Sequence, residues 1–213
     1  MQPSSFATTP SSLHIKNMVS NSCIRIVREE LEKTGFIKVN YIELGRAEIN
    51  FDQQVINLEG IDALLKKHGF SLIKDKDSRL VEEIKTAVIQ LVFYGNNANS
   101  LIRNSDYLHE KLGHPYLHLS KVFSKKTGTT LEKYVILIKI EKIKEIISYD
   151  EMTLSEIAYM MGYSSVQYLS NQFKLITGYS VSEYKNLLHK ERKPLSSILW
   201  SLRITNFRIT NSS

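Results

Sequence analysis

The stretch that most constrains this chain is Thr153 to Asn186, TLSEIAYMMGYSSVQYLSNQFKLITGYSVSEYKN. It packs two helices and a tight turn into a pattern with few other solutions. Thr153 and Glu156 stand at capping-box spacing, and Ile157, Met160 and Met161 give the first helix an apolar face. Ala158 and Gly162 follow four apart. A small inward residue lets a second helix cross closely, and glycine supplies a left-handed turn between the two. A second box, Ser164 to Gln167, opens the next helix, which buries Leu169, Phe173 and Ile176 and ends at Gly178. Its outward face then holds Gln167, Ser170, Asn171 and Lys174. Amide, hydroxyl and ammonium groups so arranged suit base edges and phosphates, so the expected unit is a helix-turn-helix.

A weaker version of the same pattern follows Ser105. SDYLHEKLG is a helix closed by Gly113, and HPYLHLSKVFSKKTG is its partner, with Pro115 in the first turn and Gly128 at the end. LSKVFSKKTG at Leu119 to Gly128 parallels LSNQFKLITG at Leu169 to Gly178, an internal repeat at a spacing of 50 residues. Between the copies, TTLEKYVILIKIEKIKEIIS reads as one long helix capped by Thr129 and Glu132, with Leu131, Tyr134, Val135, Ile138, Ile143 and Ile146 available for packing.

Upstream the periodicity changes. The first dozen residues, rich in Ser, Thr and Pro, are expected to be disordered. LHIKNMV then reads as a strand, and SNSCIRIVREELEKTG as a helix with Ile24, Val27, Leu31 and also Ile26 inward. FIKVNYIELGRAEINF alternates as a hairpin bending at Leu44 and Gly45; a helix from Leu58 to His68 carries Ile61, Leu64 and Leu65, and FSLIKD supplies a fourth strand. The order βαββαβ is a ferredoxin-like split unit over residues 13–76, an antiparallel sheet with both helices on one side. From Asp77, DSRLVEEIKTAVIQLVFYG is a connecting helix capped by Asp77 or Ser78, with Leu80, Ile84, Val88 and Leu91 in register. Val81, Ala87, Val92, Phe93 and Tyr94 widen its apolar surface, either for packing within the domain or for a second copy of the chain. Asn96, Asn97, Asn99 and Ser100 mark a hinge that closes this segment at residue 99. The expected class is therefore α+β: the ferredoxin-like domain, then an all-α domain over residues 100–192 with two helix-turn-helix units joined by a long helix. The tail, residues 193–213, contains Ile198, Leu199, Trp200, Leu202 and Phe207 but no motif.

Composition narrows the function. At 213 residues, with 42% hydrophobic and 23% charged, the chain has room for two small domains. One cysteine leaves no internal disulfide and fits a reducing cytoplasm. No apolar run approaches the roughly 18 residues of a membrane span, and the N-terminus lacks a basic-then-apolar signal, so the expected location is cytoplasmic and off the membrane. Residues 1–78 hold ten basic and ten acidic side chains, so the net charge of +6 lies entirely in the rest, which permits a polyanionic partner. No paired carboxylates, nucleophile–base set or phosphate loop stands at motif spacing, and the chain reads as no enzyme.

Two families are resembled. GRAEINFD at Gly45 to Asp52 and KKHGF at Lys66 to Phe70 resemble the heavy-metal-associated domains of copper chaperones and metal-pumping ATPases, over about residues 13–75. That family holds a soft metal in a Met-x-Cys-x-x-Cys loop. Here the loop reads Met18-Val19-Ser20-Asn21-Ser22-Cys23, with serine in place of the first cysteine, so one thiolate ligand is lost. The expectation is no metal and no cofactor. The alternative is a copper or zinc protein, or a metal-responsive regulator, using Cys23 with Met18 or His14.

EIAYMMGYSSVQYLSNQFK at Glu156 to Lys174, with the repeat and the ending FKLITGYSVSEYK, resembles the C-terminal DNA-binding domain of the AraC-type transcription regulators. The resemblance implies two recognition helices in successive major-groove segments of double-stranded DNA, about 34 Å apart. It places base-facing residues at Val166, Gln167, Ser170 and Asn171 in the second unit and at Leu117, Ser120 and Lys121 in the first. Gln167 and Asn171 suit adenine, Lys121 suits guanine or a phosphate, and Lys125, Lys126, Lys174 and His118 suit the DNA backbone. His109 stands where the family has a small residue, and Leu117 puts an apolar group where polar readers are common, so the first unit is expected to carry less sequence information. RNA polymerase and a second copy, docking through residues 77–95 or the N-terminal domain, are the further candidate partners.

Overall fold

The alternating residues of the N-terminal third form a sheet. In the computed structural model, which describes residues 8–95, 104–187 and 192–198, β1 (Thr8–Lys16), α1 (Asn21–Glu32), β2 (Ile37–Glu43), β3 (Arg46–Asp52), α2 (Leu58–Lys66) and β4 (Ser71–Leu72) follow in order. The strands lie in the order β2-β3-β1-β4, every neighbouring pair antiparallel. Leu13 and Ile15, Ile37 and Val39, and Ala47, Ile49 and Phe51 all point to one face, where Val27 and Leu31 of α1 and Ile61 and Leu65 of α2 complete a core. Lys38, Asn40 and Arg46, on the alternate positions, are exposed, as a one-sided antiparallel sheet requires.

Four local expectations are corrected here. Residues 8–12 are in β1, held by pairing from Thr8 opposite Asp52 to His14 opposite Arg46, and are not a disordered leader. Residues 1–7 lie outside the described residues. Ile26 is 38% exposed, because it sits beside the inward stripe of Val27 and Leu31 and not on it. The second helix stops at Lys66, two residues before His68. The connecting helix α3 (Lys76–Ile89) is capped two residues before Asp77, since the Ser78 N–H donates to the Asp75 carboxylate at 2.9 Å.

The chain divides within α3 into two compact units, at Thr86 and Ala87. In the second unit α3 runs on into a π-helical turn at Gln90–Tyr94, and Ala87, Val88, Ile89 and Val92 are buried. Of the residues read as widening the apolar surface, for packing within the domain or for a second copy, Ala87 and Val92 are buried, as is Val81 in the first unit. The hinge read at Asn96 to Ser100 lies outside the described residues. Then come α4 (Asn104–Leu112), α5 (Tyr116–Thr127), the 19-residue α6 (Leu131–Tyr149), α7 (Leu154–Met160), α8 (Val166–Thr177) and α9 (Val181–Lys185). The N-cap of α6 is Thr130, whose hydroxyl accepts from Lys133 N–H, one residue later than expected. A short 3₁₀ turn at Leu195–Ser197 precedes Ile198, which is 2% exposed; Leu199, Trp200, Leu202 and Phe207 lie outside the described residues. Among the described residues no helix is long and apolar enough to cross a membrane.

Candidate nucleic-acid interface

The second helix-turn-helix is built from α7, its turn and α8 onto α6. Thr153 and Glu156 form the capping box: the Thr153 hydroxyl accepts from the Glu156 N–H, and the Glu156 carboxylate accepts from the Thr153 N–H at 2.8 Å. The Thr153 hydroxyl and backbone, both donating to Glu156, hold its carboxyl below the usual carboxylate range. Gly162 takes φ +67, a left-handed conformation that a side chain would strain. Its N–H donates to Tyr159 O at 3.0 Å and the Tyr163 N–H to Ala158 O at 2.9 Å, the two bonds of a Schellman turn. Ala158 is 3% exposed, on the inward side with Ile157, Leu169 and Phe173.

Two side chains that sequence reasoning missed hold this turn. Lys139, from the middle of α6, donates to Met161 O at 2.7 Å and lies 5.6 Å from the centre of the Tyr163 ring. Burial lowers its pKa. The Tyr163 hydroxyl donates to Gln172 Oε1 at 2.6 Å, tying the turn to α8, and burial pushes the phenol up to about 12. No local motif announces Lys139. It is one lysine in the run VILIKIEKIK, and only the register of α6 against α7 gives it a role.

The N-cap of α8 is Ser165, which accepts from Tyr168 N–H, so the box read at Ser164 and Gln167 is displaced by one residue. That displacement leaves the Gln167 amide out of the cap. Its Nε2 donates to Asn171 Oδ1 at 2.8 Å, joining the two amides one helical turn apart on an exposed face. Lys174 is exposed on the same helix, and Ser170 is half-buried between them. Val166, at the start of the same helix, is half-buried against the core of Leu169 and Phe173. Tyr168, 52% exposed next to Gln167, is a large surface ring that the sequence reading passed over.

The first unit is the same machine with fewer connections. Gly113 takes φ +68, but the turn is closed by a single backbone bond, from the Gly113 N–H to His109 O at 2.9 Å. The His109 ring is exposed, and its Nδ1 donates to His114 O at 3.0 Å, so it braces the turn from outside and does not stand between the helices. Pro115 precedes α5 without a side-chain cap bond. The Tyr116 hydroxyl donates to Glu132 of α6 at 2.7 Å, and burial with that carboxylate raises the phenol far above its ordinary value. Leu117 is 81% exposed and packs on nothing, while His118, Lys121, Lys125 and Lys126 are exposed and Ser120 is half-buried. His118 pairs with His114, the rings 5.3 Å apart.

The repeat extends past the helices. Thr127 donates to Phe123 O and accepts from Thr129 N–H, as Thr177 does with Phe173 and Tyr179. The Phe123 ring meets Tyr134 at 5.2 Å, tilted by 39°, and the Phe173 ring meets Tyr184 edge to face at 5.4 Å. The 50-residue spacing holds from α5 and α8 onward, whereas Gly113 and Gly162 are 49 apart, because the stretch between the glycine and the next helix is one residue longer in the second unit.

Of the metal candidates in the sheet unit, Met18 is in the core at 2% exposure. Cys23 Sγ stands 3.4 Å from Ser20 Oγ. His14 lies on β1 opposite Arg46; burial, Arg79 and Arg46 all lower its pKa.

Residues 108–187, from within α4 through α9, match the family described as a helix-turn-helix domain. The xylose operon regulatory protein of Escherichia coli strain K12 is 28% identical over 101 residues, 47% of this chain and 26% of that protein; its counterpart in Escherichia coli O157:H7 matches to the same extent. The chain thus aligns with about a quarter of the length of these curated relatives. The crystal structure of the transcriptional regulator CdpR from Pseudomonas aeruginosa is similar over 82% of this chain and 55% of that one, at 14% identity and a TM-score of 0.42.

Proposed function

We propose that this chain is a sequence-specific DNA-binding regulator of transcription of the AraC type, acting in the cytoplasm, with α8 and α5 entering two major-groove segments about 34 Å apart. The observation that supports it most is the exposed, mutually bonded amide pair Gln167 and Asn171 on the second helix of a unit that the chain contains twice. Polar groups held on a rigid helix and turned away from its core are what direct readout of base edges needs. Asn171, Gln167 and Ser170 read bases in the second unit; Lys121, Ser120 and Leu117 face the groove in the first; Lys125, Lys126, Lys174 and His118 meet phosphates. The sheet unit is ferredoxin-like and serves as a sensing, partner-binding or dimerising module, and RNA polymerase is the protein partner that this role calls for.

Fluorescence anisotropy tests the reading. Purified protein should bind duplex from upstream of its own gene about 10³-fold more tightly than a shuffled duplex at physiological salt, with affinity falling steeply as salt rises. Equal affinity for the two duplexes at every salt concentration would refute it.

A further inference from the structure

A cavity of about 380 Å³ opens in the helical unit beside α6, the C-terminal end of α8, α9 and the segment after Lys193. Leu137, Ile176, Leu187 and Ile198 form apolar walls, and Tyr179 and Tyr184 add two rings. Two charged side chains also line it, Glu141 and Lys144, only 7% and 8% exposed. Lys144 Nζ donates to Glu141 Oε1 at 2.8 Å and lies 6.0 Å from the centre of the Tyr184 ring. Glu141 Oε2 accepts from the Lys193 N–H at 3.1 Å.

Both carboxylate oxygens are therefore engaged, whereas an ammonium carries three donors and the pair uses one of them. Donors withdrawn from water cost free energy until an acceptor meets them. Lys193 also lines the cavity, so its three charged residues sum to one positive charge. The volume falls within the roughly 300–1,000 Å³ of small-molecule sites, which pair apolar walls with a few convergent polar groups.

We propose that this cavity binds a small organic carboxylate, its anionic group on Lys144 and its apolar body between the tyrosine rings and the aliphatic wall. A charge-assisted bond to a buried ammonium supplies orientation, and the rings and aliphatic side chains supply contact area. The site goes beyond the DNA reading and does not rest on it.

The test uses the full chain without DNA. Benzoate, phenylacetate and hexanoate, each beside its neutral amide, are titrated and followed by thermal unfolding and saturation-transfer NMR. At least one carboxylate should raise the melting temperature with dose and show transfer to its apolar protons, and its amide should bind at least about tenfold more weakly, the worth of one charge-assisted bond. Removing Lys144 alone would strand Glu141, so the variant is Lys144→Met with Glu141→Leu, which exchanges both charges for apolar groups. Leu137→Trp fills the cavity and leaves the charges in place. Both variants should fold by circular dichroism and lose the response. The proposal fails if no carboxylate binds, if the amides bind equally well, or if the double variant responds as the parent does.

Discussion

The two helix-turn-helix units share a plan and differ in how firmly it is held. In the second, two backbone bonds close the turn, Lys139 caps Met161 and Tyr163 reaches Gln172. In the first, one backbone bond closes the turn and an exposed His109 braces it. The recognition faces differ in the same sense: α8 presents a bonded amide pair, whereas α5 presents an exposed leucine and a lysine. A repeated fold thus need not be a repeated function. The apolar skeleton from Phe123 to Tyr134 is copied faithfully in Phe173 to Tyr184, while the groups that would read DNA are free to diverge because packing does not constrain them.

Truncation of the two faces should separate the units most sharply. Replacing Gln167 and Asn171 together by Ala should weaken binding to the preferred duplex by about 3 kcal/mol, and Leu117→Ala by less than about 0.5 kcal/mol, in anisotropy titrations. Equal losses would make the units equivalent readers.

The helix crossings come next. Ala158→Leu should cost about 2 kcal/mol in urea unfolding, because the position is buried against α8, whereas His109→Leu on the exposed side should stay within about 0.5 kcal/mol. A large cost at His109 would place that ring in the crossing after all.

Lys139→Met should destabilise the protein by about 1.5 kcal/mol, through the lost bond to Met161 O. The folded pKa of Lys139 lies below its unfolded value, so folding releases a proton there. Parent stability should therefore gain a contribution as pH rises from the lowered value toward the ordinary lysine range, and the Met variant should lack that gain. A parent and a variant with superimposable pH profiles would remove Lys139 from the account.

The smallest contrast is at the caps. Ser165→Ala should cost about 1 kcal/mol, as the loss of a side-chain cap on α8 does, while Pro115→Ala removes no cap bond from α5 and should cost less. Differential scanning calorimetry would order the two.

Much of this was legible beforehand. The Thr153 and Glu156 box, the small residue at Ala158, the turn at Gly162 and the inward Leu169 and Phe173 are where the pattern put them, because each rests on interactions within one or two helical turns. The misplacements are also local and small: Ser165 for Ser164, Thr130 for Thr129, Asp75 for Asp77. Where adjacent residues can all cap, the choice falls to the backbone of the preceding loop, which spacing alone does not specify.

The sequence by itself determined the two units, their helices and turns, the sheet strands beyond the first few residues, and the polar character of the α8 face. Those features follow from periodicities of two and 3.6 and from glycine where φ is positive. The tertiary structure alone decided that Lys139 caps the second turn, that Leu117 stays bare, that Met18 is a core residue and that Glu141 and Lys144 are buried together beside a cavity. Each depends on which face of one element meets another far away in sequence, and a long helix such as α6, apolar on several sides, leaves that register open until its neighbours pack against it.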